Sequence, residues 1–94
     1  MWLGKVVGTV VATPKDESLT GCKLLIVQPL RLCSNQGLSP VVAVDTIGAG
    51  TGESVLVVTG SSARHVTGNP QSAVDAAIIG IIDTIELNQS LIEE

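Results

Sequence analysis

The chain has 94 residues and carries nine Asp and Glu against five Lys and Arg, a formal net charge of −4. That length suits one domain, and that charge excludes a surface built to grip nucleic-acid phosphates or an anionic membrane, both of which need clustered Lys and Arg. Trp2 is the only aromatic residue, so no stacking platform for bases or sugars is available.

Residues 2–13 are rich in Val and Thr without a helical period, which predicts a first strand with Gly4 and Gly8 as bend or bulge points. Pro14 to Ser18 is a polar turn. Lys23 to Leu30 is a second strand, with Pro29 placing its end at an edge or bulge. Residues 31–39 form a loop. Val41 to Ile47 is a third strand and Ser54 to Thr59 a fourth, with a glycine-rich loop between them. Gly60-Ser-Ser-Ala-Arg64 begins a helical turn capped by Ser61 or Ser62, and Thr67 to Ser72 is a loop. Asp75 to Asp83 is too short an apolar run for periodicity to separate buried helix from buried strand; its isoleucines around Gly80 favour a strand. Asn88 caps a short C-terminal helix, Gln89 to Glu94, whose terminal acids oppose the helix dipole and predict fraying.

About five short strands with turns between them predict an all-β barrel or sandwich. Val6-Val7, Val10-Val11 and Val41-Val42 are apolar on both strand faces, and mean hydropathy is +0.48. One face fills the interior; the other needs a cover, which favours an oligomer over a monomer. No apolar run reaches the length of a membrane span, and no secretory signal is visible, so a reduced cytosolic location is expected. There, Cys22 and Cys33 are expected as thiols, although a bridge between them stays open if their segments pair.

Gly48, Gly50 and Gly52 raise the question of a phosphate loop. A dinucleotide fingerprint needs G-x-G-x-x-G leading into a helix. Here the spacing is G-x-G-x-G and the strand Val55 to Val58 follows, without the Lys-Ser/Thr pair of a P-loop. Two readings remain: a glycine hairpin turn, or a loop in close contact with another copy of the chain. His65, the only histidine, stands beside Ser61, Ser62 and Arg64, but no spacing orients Asp45, Asp75 or Asp83 behind it as a triad needs. Cys22, Cys33 and His65 share no zinc spacing. Asp45 lies inside an apolar strand, and Arg64 is the expected partner of its carboxylate, a structural pair. The residues point to no enzyme, no metal and no cofactor.

Taken together, Gly4 to Gly8, Leu19 to Leu25, Val27 to Leu30, Val42 to Glu53, Gly60 to Arg64 and Val74 to Asp83 resemble the EutN/CcmL family of bacterial microcompartment vertex proteins. The resemblance covers nearly the whole chain and implies one domain over residues 1–94. It also implies an OB-like five-stranded β-barrel with short helical turns that assembles as a ring. The implied function is structural: homopentamers, with a hexameric ring as the alternative stoichiometry, that cap the vertices of a cytoplasmic protein shell whose facets are hexameric tiles of another fold. Carried over, Gly48, Ala49, Gly50, Thr51, Gly52 and Glu53 line a narrow central opening at the symmetry axis. Ser61, Ser62, Arg64 and Asp75 fall in subunit packing. Positive φ or crowding at the axis is the expectation at Gly50. A second reading has the opening bind or pass a small solute or anion, since the N–H groups of a glycine-rich turn form an anion nest; Glu53 counts against it unless its carboxylate points away. The chain departs from the family pattern at Arg31, at Cys33 and at Gln71-Ser72-Ala73, which leaves the compartment type open. Partners are therefore copies of itself and facet proteins, with no nucleic acid and no membrane.

Overall fold

The computed structural model describes residues 1–13, 19, 22–30, 39–68 and 73–91. The expected turn at 14–18, most of the loops at 31–39 and 67–72, Arg31, Cys33, and the last three residues of the expected C-terminal helix lie outside them. Five strands form, β1 (Trp2–Val10), β2 (Lys23–Pro29), β3 (Val41–Asp45), β4 (Ser54–Thr59) and β5 (Ala76–Ile81), with helix α1 (Ser61–Thr67) between the last two. They close into a barrel in the order β1-β2-β3-β5-β4. Every pair is antiparallel except β3 and β5. Closure removes the open sheet edges that a β-rich chain would otherwise expose.

The inner face follows from strand alternation. Val6 of β1, Leu25 and Val27 of β2, Ala43 of β3, Val55 and Val57 of β4, and Ala76 and Ile78 of β5 form one buried cluster, with Trp2 and Val41 packed against it. The interior of so narrow a barrel has little room. A Cβ on Gly4 would overlap Val27 Cγ1 and come within 2.9 Å of Trp2 Cζ3. Gly4 is thus a close-approach position rather than a bend. The bulge in β1 sits beside Gly8, where the register with β2 slips between Val6 and Gly8. A second slip, between Leu56 and Val57, lies in the β4–β5 pairing. Each bulge leaves an apolar residue facing out, Val7 and Ile79.

A smaller outer core lies under α1. Val44, Val58, Ala63, Val74 and Ala77 are buried together, with Leu19, Cys22 and Leu24 at its margin. Cys22 is a half-buried thiol there. Neither serine caps α1. Its N-cap is Gly60, at φ 64°, and no side chain caps the helix. The Gly60 carbonyl accepts from Ala63 and Arg64, while its N–H donates to the Asp75 carbonyl. The chain leaves β4 too sharply for a residue with a Cβ, and this displaces the expected serine cap by one position. The helix also runs further than the turn expected from sequence, ending at Gly68 in the left-handed region, with Arg64 and His65 in its last turn.

Candidate assembly surface

The glycine loop is not a hairpin. β3 and β4 are consecutive in sequence, but β5 lies between them in the barrel. Residues 46–53 therefore cross one end of the barrel from β3 to β4, and the hairpin reading is corrected by the insertion of β5. Several bonds hold the crossing. The Ile47 N–H donates to Asp45 Oδ1 at 3.1 Å. Ala49 is fully buried and joins the inner cluster, so it stops that end of the barrel. Lys23 Nζ donates to the Ala49 carbonyl at 2.8 Å. Gly52 N–H donates to the Val6 carbonyl and Val6 N–H to the Glu53 carbonyl, which stitches the loop to β1.

Beyond Ala49 the chain makes a four-residue turn closed by the Glu53 N–H on the Gly50 carbonyl at 3.1 Å. Gly52, at φ 94°, holds the third position, where a left-handed residue is required. Gly48, at φ 85°, lies on the approach. Gly50 does not have positive φ, so that ground for its selection is corrected: a Cβ there would stand 3.4 Å from Glu53 Oε1. The Glu53 carboxylate folds back into the turn and accepts the Gly50 N–H at 2.6 Å. It does not point away, and the N–H that an incoming anion would use is already taken by a carboxylate of the same chain. Thr46, Ile47, Gly48, Thr51 and Gly52 are exposed. The loop presents backbone at its two exposed glycines, two small threonines and the aliphatic Ile47.

Asp45 is buried at the mouth beneath this loop, and its partner is Lys23. The two are cross-strand neighbours, with Nζ 3.6 Å from Oδ2. The Arg64 pairing expected from sequence is thus replaced by a lysine at the start of β2, on the same inner parity as Leu25 and Val27. The Lys23 signal was present in the sequence as that parity, but only the β2–β3 register shows which residue it meets. Ser61 and Ser62 are exposed on α1, Arg64 is half-buried, and Asp75 is exposed with its carbonyl tied to Gly60. The fold therefore brings Asp75 to the start of the helix that carries the other three, and it keeps this group apart from the glycine loop. His65 is exposed on α1. Among the described residues no three of His, Cys, Asp and Glu converge as a metal site would require, and no helix is long and apolar enough to cross a membrane.

The outer surface is unusually aliphatic. Val7, Val42, Ile47, Ile79, Ile81, Ile85, Leu87 and Leu91 are all exposed beyond a third of their area. The strands are thus apolar on both faces, and among the described residues part of the outer face has no cover.

The chain is a small closed barrel with aliphatic residues on its exterior, and comparison with known proteins gives its class as microcompartment shell vertex protein. Residues 1–83 match the family described as ethanolamine utilisation protein EutN/carboxysome, and the chain belongs to that EutN/CcmL family. The bacterial microcompartment shell vertex protein GrpN of Rhodospirillum rubrum is 56% identical over 86 residues, which span 92% of this chain and 97% of that protein. The shell vertex protein PduN of Salmonella typhimurium is 48% identical over 89 residues, 90% of this chain and 98% of that one. The solved pentameric GrpN shell protein superposes with a TM-score of 0.77 over 94% of this chain and 99% of that chain, at 52% identity. For CcmL of Gloeobacter violaceus the TM-score is 0.82 over 94% and 91%, at 44% identity. The family and these relatives are structural shell proteins, not enzymes.

Proposed function

We propose that this chain forms homopentamers that cap the vertices of a bacterial microcompartment shell in the cytoplasm, set among hexameric facet tiles of another fold. The observation that carries the reading is the 56% identity to the GrpN shell vertex protein over 92% of this chain, together with the likeness to its pentameric structure. The aliphatic outer surface supports it, since an apolar face left open on one chain is closed by its neighbours in a ring. Residues 1–94 act as one domain in this role. Gly48 to Glu53 stand nearest the five-fold axis, where mostly backbone lets five loops converge. Ser61, Ser62, Arg64 and Asp75 contribute to packing between neighbours. The solute-binding reading of the opening is not favoured, because Glu53 takes the Gly50 N–H.

Native mass spectrometry of the purified chain tests the assembly. The expected species has five times the 9.6 kDa mass of the chain. A stable monomer or dimer overturns the ring, and a sixfold mass overturns the pentamer while keeping a ring.

A further inference from the structure

The barrel is one antiparallel sheet closed on itself once. Taken in the order β3-β2-β1-β4-β5, each strand is antiparallel to the next. The two ends of that sheet meet where β3 runs parallel to β5. This seam pairs only Val44 with Ala77 and Asp45 with Ile78, whereas the antiparallel pairs extend over four to six positions each. Parallel pairing is also slightly the weaker kind per residue.

The ladder stops where it had room to continue. Carried back two residues, its register sets Val42 level with Asp75. A cavity of about 150 Å³ opens there instead, lined by Val42 and Val44 from β3, by Val74, Asp75 and Ala76 from the chain entering β5, and by Leu24. Charge does not close the seam either. Asp45 is one of its four residues, and its carboxylate is sealed from solvent. Both of its polar contacts lie on the β3 side, the Ile47 N–H on Oδ1 and the Lys23 ammonium of β2 near Oδ2. Apolar side chains hold the seam, Ala43, Ala76 and Ile78 inside the barrel and Val44, Val74 and Ala77 outside it. The loop 46–53 straps the end near Asp45, since it runs from β3 to β4 and is bonded to β1. The end near Val42 has no such strap among the described residues.

We propose that the barrel opens reversibly at this seam, from the cavity end, without unfolding. In the opened form β3 stays paired with β2, and β5 stays paired with β4. The loop limits the parting at Asp45. The opening changes the outline of the subunit while the four antiparallel pairs remain intact. Sub-global openings fall where the least buried contact has to be broken, and here that is the two-residue seam beside a cavity. The device belongs to the single chain and does not depend on the ring proposed above.

Native-state hydrogen exchange of the full chain, in a urea series below unfolding, tests it. The amides of Val44, Asp45, Ala77 and Ile78 that bond across the seam are expected to exchange roughly tenfold faster, or more, than those of the β1–β2 ladder. Their rates are also expected to depend less on urea, because the opening exposes less surface than unfolding does. Equal rates with equal urea dependence overturn the proposal. A second measurement uses Val6→Ala. Val6 is buried in β1, which lies across the barrel from the seam, so its packing survives the opening. The variant is expected to speed exchange in the β1–β2 ladder roughly tenfold while the seam amides keep their rate. Acceleration of both sets by the same factor overturns the proposal, since the seam then opens only with the whole barrel. The first measurement needs no substitution and decides the matter even where that variant does not fold.

Discussion

Lys23 and Asp45 face each other across β2 and β3, with the ammonium 3.6 Å from a carboxylate whose side chain is sealed from solvent. The lysine side chain itself is about half exposed, at 49%, and its shorter bond goes to the Ala49 carbonyl. One cation thus balances the buried charge at the barrel mouth and ties down the loop that stops it. Asp45 Oδ2 has no hydrogen-bond partner, so the nearby ammonium is what offsets its burial.

Removing that cation is expected to destabilise the barrel. Lys23→Met keeps the aliphatic stem but leaves Asp45 uncompensated and frees the Ala49 carbonyl. The expected cost is about 1–3 kcal/mol, below that of breaking a wholly buried pair because water reaches the lysine side. Urea unfolding at a fixed chain concentration measures it, since assembly adds stability by mass action. A change within about 0.5 kcal/mol, as at an ordinary surface position, would show that the pair has no structural weight.

Gly4→Ala is expected to be among the most damaging single methyl additions. The new Cβ meets Val27 Cγ1 and Trp2 Cζ3 inside a filled barrel, and overpacking of this kind costs about 1–3 kcal/mol. Trp2 is the only aromatic residue, so its emission reports the strain directly. A shifted Trp2 spectrum together with a lower unfolding midpoint is the expected pair of observations.

The three loop glycines are expected to separate on substitution by alanine. Gly48 and Gly52 sit at φ 85° and 94°, where a Cβ costs about 1–2 kcal/mol. Gly50 lacks positive φ, and its nearest contact is the far end of a flexible glutamate, so its cost is expected below about 0.5 kcal/mol. Gly50→Val then tests crowding at the axis without backbone strain. Loss of the ring in native mass spectra with an unchanged unfolding midpoint places Gly50 at a contact between copies, whereas equal loss of both removes that role.

Glu53→Ala is expected to loosen the loop rather than the barrel. It deletes the 2.6 Å charge-assisted bond to the Gly50 N–H but leaves the backbone bonds to Val6. Hydrogen exchange at the Gly50 amide is expected to accelerate by roughly tenfold, the equivalent of about 1.4 kcal/mol, while amides of β1 and β4 keep their protection. Unchanged Gly50 exchange would mean that the carboxylate does not hold the turn.

Much of this protein was determined locally. Short β-branched runs set the five strands to within a few residues at their ends, and aliphatic residues on both strand faces made an uncovered surface inevitable. The glycines, the acidic balance and the lack of aromatics removed phosphate, nucleic-acid and stacking chemistry, and the spread of motifs along the chain pointed to the family. What the tertiary structure decided are relationships between distant segments. β5 enters between β3 and β4, which turns an apparent hairpin into a crossing that stops the barrel. Register sets Lys23, rather than Arg64, against Asp45. Gly60 caps α1 because the β4 exit and Asp75 meet there. Local periodicity reports which face a residue takes; strand order and register depend on which edges meet, and those edges are brought together only when the barrel closes.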